Sequence, residues 1–182
     1  MKPTKWKQEL FTVPNLLSLM RLVLVPVYAG IYLRGQHLLA GGIMAVSCLT
    51  DLLDGFIARR WNMITNLGKV LDPLADKVTQ LTVTVCLCRS YPQLLPVLAL
   101  LTVKEGLQLL LAVLYLRRGK MLDGALPEGK VCTAVLFVSL LTLVLVPGVS
   151  SEAVQAVAAA NGFLLTVSLL GYGRAYLMMH TA

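Results

Sequence analysis

Long apolar stretches occupy most of this chain and limit what it can fold into. Six of them extend approximately over Asn15–Leu33, Leu38–Ile57, Leu67–Cys88, Leu94–Leu116, Val131–Val146 and Val154–Met178. Each is near the roughly 20 residues that a helix needs to cross a bilayer, and turn-forming residues separate them. Of the 182 residues, 57% are hydrophobic and 14% are charged, a balance unlike that of soluble domains. We therefore predict an all-α, polytopic integral membrane protein with six transmembrane helices.

The amino-terminal stretch Met1–Val13 differs from the spans in its pattern. Lysines alternate there with Trp6, Leu10 and Phe11, which is typical of a short helix lying at a membrane surface. We predict that this interfacial helix is retained, because the following apolar run is long and lacks a small-residue cleavage site. Six spans with short connections leave no room for a second domain, so we predict one membrane domain over residues 1–182.

Basic residues indicate the orientation of the spans and argue against a nucleic-acid partner. The net charge is +7, but the basic residues flank apolar segments, where they set topology and attract anionic lipid headgroups. With the amino terminus in the cytoplasm, the flanking basic residues on that side are Lys2, Lys5, Lys7, Arg59, Arg60, Lys69, Arg117, Arg118, Lys120, Lys130 and Arg174. Only Arg34 and Arg89 then flank the other side. Both termini are therefore predicted to be cytoplasmic.

Four carboxylates cluster at the predicted cytoplasmic ends of the second and third spans. They are Asp51, Asp54, Asp72 and Asp76. Spacings of three and four residues place each pair on one helix face, and the short link makes the two helices antiparallel neighbours. Such a set of oxygen ligands suits Mg²⁺ or Mn²⁺ rather than zinc and has enough carboxylates for two ions. A structural carboxylate network, a metal-binding structural protein and a small cation transporter are the alternatives.

Small residues and an arginine accompany the carboxylates. Gly55 and Ala58 leave bare backbone beside Asp54, and Gly68 does so near the start of the third span. Arg59 lies one turn beyond Gly55 and can bind phosphate through two hydrogen bonds. The cluster is therefore predicted to be a pocket for a phosphate compound held by metal and arginine.

The complete pattern over residues 51–76 is D-x2-D-G-x2-A-R-x8-G-x3-D-x3-D. It resembles the signature of the CDP-alcohol phosphatidyltransferases, which are integral membrane enzymes of phospholipid synthesis, at all eight of its specified positions. The resemblance implies transfer of a phosphatidyl group from CDP-diacylglycerol to an alcohol, with release of CMP. It further implies a homodimer in the cytoplasmic membrane of a bacterium, with the active site on the cytoplasmic side.

The resemblance also implies roles for individual residues. Asp51, Asp54 and Asp72 would hold metal, while Asp76 would contact metal and act as the base that deprotonates the acceptor alcohol. The residues assigned to CDP-diacylglycerol are Gly55, Ala58, Arg59, Thr65 and the Pro-Asn-x-x-Ser element of the first span, Pro14, Asn15 and Ser18. Arg21 follows that element one turn further on.

The acceptor alcohol is suggested by local strings around the signature. Residues 56–62 and 71–77 look most like the bacterial phosphatidylglycerophosphate synthase branch, which implies glycerol 3-phosphate. The candidates for binding its phosphate are Lys130, Arg117, Arg118 and Arg174.

Two departures from that branch leave other acceptors open. Lys104-Glu105 stands where the branch often has Arg-Glu, and Cys132 stands where it has a second basic residue. Phosphatidylglycerol, giving cardiolipin, and a polyol phosphate such as inositol phosphate are the alternative acceptors. Lys104 and Glu105 could also form a satisfied buried pair rather than bind the acceptor.

Overall fold

The computed structural model describes residues 12–60, 65, 68–117, 127–146 and 148–181. Its α-helices are α1 (Val13–Leu33), α2 (His37–Arg60), α3 (Gly68–Ser90), α4 (Leu95–Arg117), α5 (Pro127–Leu145) and α6 (Ser151–Thr181), and a 3₁₀ turn at Pro92–Leu94 precedes α4. The described ranges contain no strand, which confirms the all-α prediction. Residues 1–11 of the predicted interfacial helix lie outside the described residues.

Within the part of the chain that the structure describes, four helical segments are long and apolar enough to cross a membrane. They are Val13–Leu33, Pro92–Leu111, Glu128–Leu145 and Ser151–Ala175. The apolar part of α2, His37–Asp51, is shorter, and α3 carries Asp72, Asp76 and Lys77 within its length. Large apolar side chains such as Val23, Leu109 and Phe163 are exposed on the spanning helices, as expected where lipid replaces water. Six spans stay a prediction.

Several helices extend beyond the apolar stretches that predicted them, and α5 and α6 are two of these. α5 begins at Pro127, before the predicted start at Val131, and α6 continues to Thr181. Proline is favoured at the first helical position, where its missing N–H has no intrahelical partner anyway. Glu128 in the same turn also interacts favourably with the positive end of the helix dipole. Pro127 and Glu128 therefore favour a start of α5 before the hydrophobic pattern begins.

Residue contacts divide the chain into two compact units, Met1–Cys86 and Leu87–Ala182. In the first unit, α1 packs against α2. The turn between them contains Gly35 with a φ of 79°, and its N–H donates to the carbonyl of Tyr32 at 2.9 Å. Glycine adopts this left-handed conformation without a Cβ penalty, and such a residue commonly ends a helix. The tight turn makes α1 and α2 antiparallel neighbours.

The buried face of α1 is unusually polar for an apolar helix. Its buried residues are Pro14, Asn15, Ser18, Arg21, Tyr28 and Tyr32, whereas Val13, Leu16, Val23 and Val27 are exposed. The spacing of the buried set follows one face of an α-helix. Polar groups on a membrane helix normally face the protein interior, where they find partners. α1 therefore turns its polar residues toward the rest of the first unit.

In the second unit, α6 packs against both α4 and α5. The side-chain amide of Gln93 in the 3₁₀ turn donates to the hydroxyl of Ser151 at 3.0 Å, which ties the start of α6 to the start of α4. Leu101, Leu136, Leu140 and Leu165 are almost fully buried. These leucines form the apolar core of the three-helix arrangement.

Candidate active site

A buried arginine joins three aspartates in the first unit. Arg21 on α1 is 2% exposed, and its Nη1 forms ion pairs with Asp51 of α2 and with Asp76 of α3 at 2.9 Å. Its Nη2 lies 3.9 Å from the carboxylate of Asp72. Three of the four predicted metal ligands are therefore brought around one guanidinium group.

Ser18 lies one turn before Arg21 on the same face of α1 and extends the cluster. Its hydroxyl donates a hydrogen bond to Oδ1 of Asp72 and is also within 3.1 Å of the carbonyl of Pro14. Ser18 is completely buried. The predicted Pro-Asn-x-x-Ser element is thus in direct contact with the carboxylate cluster.

The three carboxylates are chemically suited to a hard divalent ion. Their side chains are 41%, 42% and 43% exposed for Asp51, Asp72 and Asp76, so they are accessible from outside the protein. They offer only oxygen donors, the type that Mg²⁺ and Mn²⁺ prefer. Among the described residues, however, no three His, Cys, Asp or Glu side chains are grouped closely enough to share an ion. The guanidinium of Arg21 lies where the carboxylates would otherwise approach one another.

A second group of contacts lies at the start of α3. The amide of Asn15 donates to the hydroxyl of Thr65 at 3.0 Å, and that hydroxyl also accepts the N–H of Gly68 at 2.9 Å. Thr65 therefore caps the start of α3 in the way that a hydroxyl side chain caps a helix. A Cβ on Gly68 would lie only 2.6 Å from Oδ1 of Asn15. Close packing of α1 against the start of α3 therefore requires glycine at this position.

A small cleft adjoins the cluster, and Arg21 forms part of its wall. Leu24 and Tyr28 of α1, Met44 of α2 and Val83 of α3 line it. Arg21 thus belongs both to the carboxylate cluster and to the wall of a mainly apolar cleft.

Several predicted site residues cannot be placed. The backbone of α2 includes Asp54, Gly55, Ala58 and Arg59, but their side chains lie outside the described part of the chain. Arg118 also lies outside the described residues. The roles predicted for these residues stay predictions.

Two predicted acceptor residues lie in the second unit. Lys130 near the start of α5 and Arg174 near the end of α6 are both exposed. A Cβ on Gly129 would lie 2.8 Å from the hydroxyl oxygen of Tyr172, so the start of α5 packs closely against this part of α6. Lys130 and Arg174 are therefore at the same end of the α5–α6 pair.

The Lys104–Glu105 pair is buried within the second unit. Lys104 is 3% exposed, and its Nζ lies 2.7 Å from the carboxylate of Glu105. The same ammonium lies 5.9 Å from the ring centroid of Tyr172, within the range of a cation–π interaction. These contacts favour the satisfied buried pair over a role in binding the acceptor.

One part of the site was missed by the sequence prediction. Arg21 was placed near the nucleotide element, but its ion pairs with Asp51 and Asp76 were not predicted. The contact could have been predicted from the position of Arg21 three residues after Ser18, because this spacing puts both residues on one helix face. A charged residue inside an apolar helix is also expected to need a partner.

Apolar helices with an inward-facing group of carboxylates, hydroxyls and one arginine define a membrane protein built around a polar site. The model of the CDP-alcohol phosphatidyltransferase family matches residues 11–168. The chain belongs to this family, as the motif over residues 51–76 indicated. Membership in this family argues against the alternative that the acidic cluster belongs to a small cation transporter.

Curated relatives carry two functional names. A CMP-forming cardiolipin synthase of Rattus norvegicus is 44% identical over 109 residues, which are 59% of this chain and 35% of that protein. A CMP-forming cardiolipin synthase of Streptomyces coelicolor is 38% identical over 120 residues, covering 60% of this chain and 54% of that protein. The CDP-diacylglycerol–glycerol-3-phosphate 3-phosphatidyltransferase of Aquifex aeolicus is 36% identical over 132 residues, 72% of this chain and 74% of that protein. The chain thus matches only about a third of the mammalian relative but most of the Aquifex relative.

Proposed function

We propose that this protein transfers the phosphatidyl group of CDP-diacylglycerol to glycerol 3-phosphate and releases CMP. The observation that carries the proposal is the arrangement of Asp51, Asp72 and Asp76 around Arg21, where three helices of the first unit meet. All three aspartates belong to the family signature. The negative charges of a diphosphate substrate must be offset before one phosphate can leave, and divalent ions held by these carboxylates would offset them.

The proposed metal ligands are Asp51, Asp54, Asp72 and Asp76. Their carboxylates would hold Mg²⁺ or Mn²⁺, and the set has enough oxygens for two ions. Bound divalent ions would neutralise the diphosphate and make CMP a better leaving group.

Asp76 is proposed as the base for the acceptor alcohol. One carboxylate oxygen of Asp76 would take the hydroxyl proton as the alcohol oxygen forms a bond to the lipid-linked phosphorus. The bond between that phosphorus and the bridging oxygen of CMP breaks in the same displacement, and CMP carries away the electron pair. No covalent intermediate between lipid and protein is required.

The remaining residues of the first unit would bind and orient the nucleotide. Arg59 is proposed to contact phosphate, with Gly55 and Ala58 leaving room for the ligand beside α2. Pro14, Asn15, Ser18 and Thr65 are proposed to shape the nucleotide site. The hydrogen bond from Asn15 to Thr65 supports this role, because it fixes the start of α3 against α1.

Glycerol 3-phosphate carries a phosphate of its own that needs separate cations. Lys130, Arg118 and Arg174 are proposed for this role, and the exposure of Lys130 and Arg174 at one end of the α5–α6 pair supports it. The Aquifex relative, which this chain matches over 74% of its length, is named for this acceptor. Phosphatidylglycerol is the second candidate, because relatives named cardiolipin synthase reach 44% identity.

The proposed setting is the cytoplasmic membrane of a bacterium. The chain would form one domain with six spans and an amino-terminal interfacial helix, and both termini and the active site would face the cytoplasm. The bias of basic residues supports this orientation. The active form is proposed to be a homodimer.

The test uses purified protein in detergent or vesicles with CDP-diacylglycerol and Mg²⁺. Glycerol 3-phosphate, phosphatidylglycerol and inositol phosphate are supplied separately, while CMP release and the lipid product are measured. We expect CMP and phosphatidylglycerophosphate with glycerol 3-phosphate. Product only with phosphatidylglycerol would replace the proposed acceptor, and no CMP with any alcohol would refute the proposed reaction.

A further inference from the structure

Arg21 is a buried cation in a helix that is otherwise apolar. Its side chain is 3% exposed, although α1 has the length and hydropathy of a membrane span. A buried charge is costly unless other charges and hydrogen bonds compensate it. The compensation comes from carboxylates of two other helices, which shows that α1, α2 and α3 are held together partly through this one side chain.

The ion pairs of Arg21 are distributed over its two terminal nitrogens. Nη1 contacts both Asp51 and Asp76, while Nη2 lies 3.9 Å from Oδ1 of Asp72. Lysine could not reproduce this arrangement, because its single ammonium lacks the planar fork of the guanidinium. One guanidinium offsets only part of the formal charge of the three carboxylates.

The same geometry keeps the carboxylates from converging. Oxygen ligands of Mg²⁺ lie about 2.0–2.1 Å from a common centre, whereas here Asp51 and Asp76 are directed at one nitrogen atom. The described residues hold no group of three potential ligands close enough for a metal. For the carboxylates to share an ion, Arg21 must give up at least part of its present contacts.

We propose that Arg21 is a positioning residue that substitutes for the divalent cation between Asp51 and Asp76 in the metal-free protein. When the ion binds, the guanidinium releases these two carboxylates to it. The inference rests on the proposed function only in taking the carboxylates as metal ligands. In this proposal the guanidinium limits repulsion among the clustered carboxylates until an ion binds, and metal binding is an exchange of one cation for another.

The experiment measures thermal unfolding of purified full-length protein with a chelator and with Mg²⁺. Arg21→Met removes the internal cation while keeping an unbranched apolar side chain, and Arg34→Met is the matched control because Arg34 is exposed at the end of the same helix. With chelator, Arg21→Met is expected to unfold about 5 °C or more below the wild type. Mg²⁺ is expected to restore most of that loss, while Arg34→Met should follow the wild type in both conditions.

Metal affinity supplies a readout that a merely structural role would not change. Because the carboxylates of Arg21→Met repel one another until an ion arrives, its stabilisation by Mg²⁺ should be larger and half-maximal at a several-fold lower concentration. Arg21→Lys retains one cation and should fall between Arg21→Met and the wild type. It serves as the deciding variant if Arg21→Met does not accumulate in folded form.

Two outcomes would overturn the inference. One is an equal loss of thermal stability with chelator and with Mg²⁺, which would make Arg21 a structural residue only. The other is the absence of any Mg²⁺-dependent shift in the wild type and the variants. CMP release by the wild type is measured separately, so the proposed reaction can fail while the exchange of cations holds, or hold while the exchange fails.

Discussion

Gly68 provides the sharpest test of the packing at the start of α3. In Gly68→Ala the new Cβ would lie 2.6 Å from Oδ1 of Asn15 and 3.0 Å from Oγ1 of Thr65. Asn15 is 1% exposed and bonds to Thr65, so its amide cannot move aside without losing a buried contact. The substitution should therefore both crowd the site and break its hydrogen bonds.

The expected cost follows from these two effects. Overpacking a well-packed site costs about 1–3 kcal/mol, and leaving a buried polar group without its hydrogen bond costs about 1–3 kcal/mol. Because the two strains are partly relieved by one shift of Asn15, we expect about 2–4 kcal/mol in total. For a chain of this size, that lowers the unfolding midpoint by about 5–10 °C.

The assay is thermal unfolding in detergent, together with CMP release under the conditions of the wild-type assay. Gly42→Ala in α2 is the control, because a Cβ there meets no atom within 4 Å. Alanine is more favourable than glycine inside a helix by about 1 kcal/mol, so this control should be neutral or stabilised. If Gly68→Ala were as stable and as active as Gly42→Ala, the close contact between α1 and α3 would be refuted.

Two further predictions concern charged residues. Asp76→Asn should lower CMP release about 100-fold or more, because general-base catalysis contributes that much. Glu152→Gln, which changes an exposed acid, is the control and should leave CMP release unchanged. Equal CMP release by the two variants would remove Asp76 from the base role. Lys104→Met should destabilise the protein by about 3 kcal/mol, because it leaves Glu105 without its ion pair. The double variant Lys104→Met/Glu105→Met should recover most of that loss, because a buried ion pair is often replaceable by apolar residues. Thermal unfolding of the single and the double variant measures this, and a double variant as unstable as Lys104→Met would contradict the buried-pair interpretation.

Apolar length and carboxylate spacing predicted much of this architecture. The six apolar stretches correspond to the helices α1–α6, and the spacing of Asp72 and Asp76 correctly placed both on a face directed at the cluster. The start of α5 was not predicted, because the apolar stretch begins only at Val131, whereas the helix already begins at Pro127, a residue favoured in the first helical turn. Helix ends depend on capping and proline placement as well as on apolar content.

The contacts between helices were less predictable than the helices themselves. Nothing in the local pattern around Arg21 reveals that its partners lie 30 and 55 residues away on other helices. Thr65 was assigned to the nucleotide from the resemblance, yet its hydroxyl also caps α3 and bonds to Asn15. Both features depend on how helices distant in sequence pack together, and the hydrophobic pattern of a single helix does not contain that information.

The contact between Gly129 and Tyr172 has a consequence for how relatives of this protein diverge. Any side chain at position 129 would overlap the tyrosine ring, since even a Cβ would lie 2.9 Å from its Cε2 atom. A larger residue at 129 therefore demands a smaller one at 172, and the two positions should co-vary across an alignment of homologues. That exchange would also remove the aromatic ring near Lys104, so the lysine would then depend more on its ion pair with Glu105.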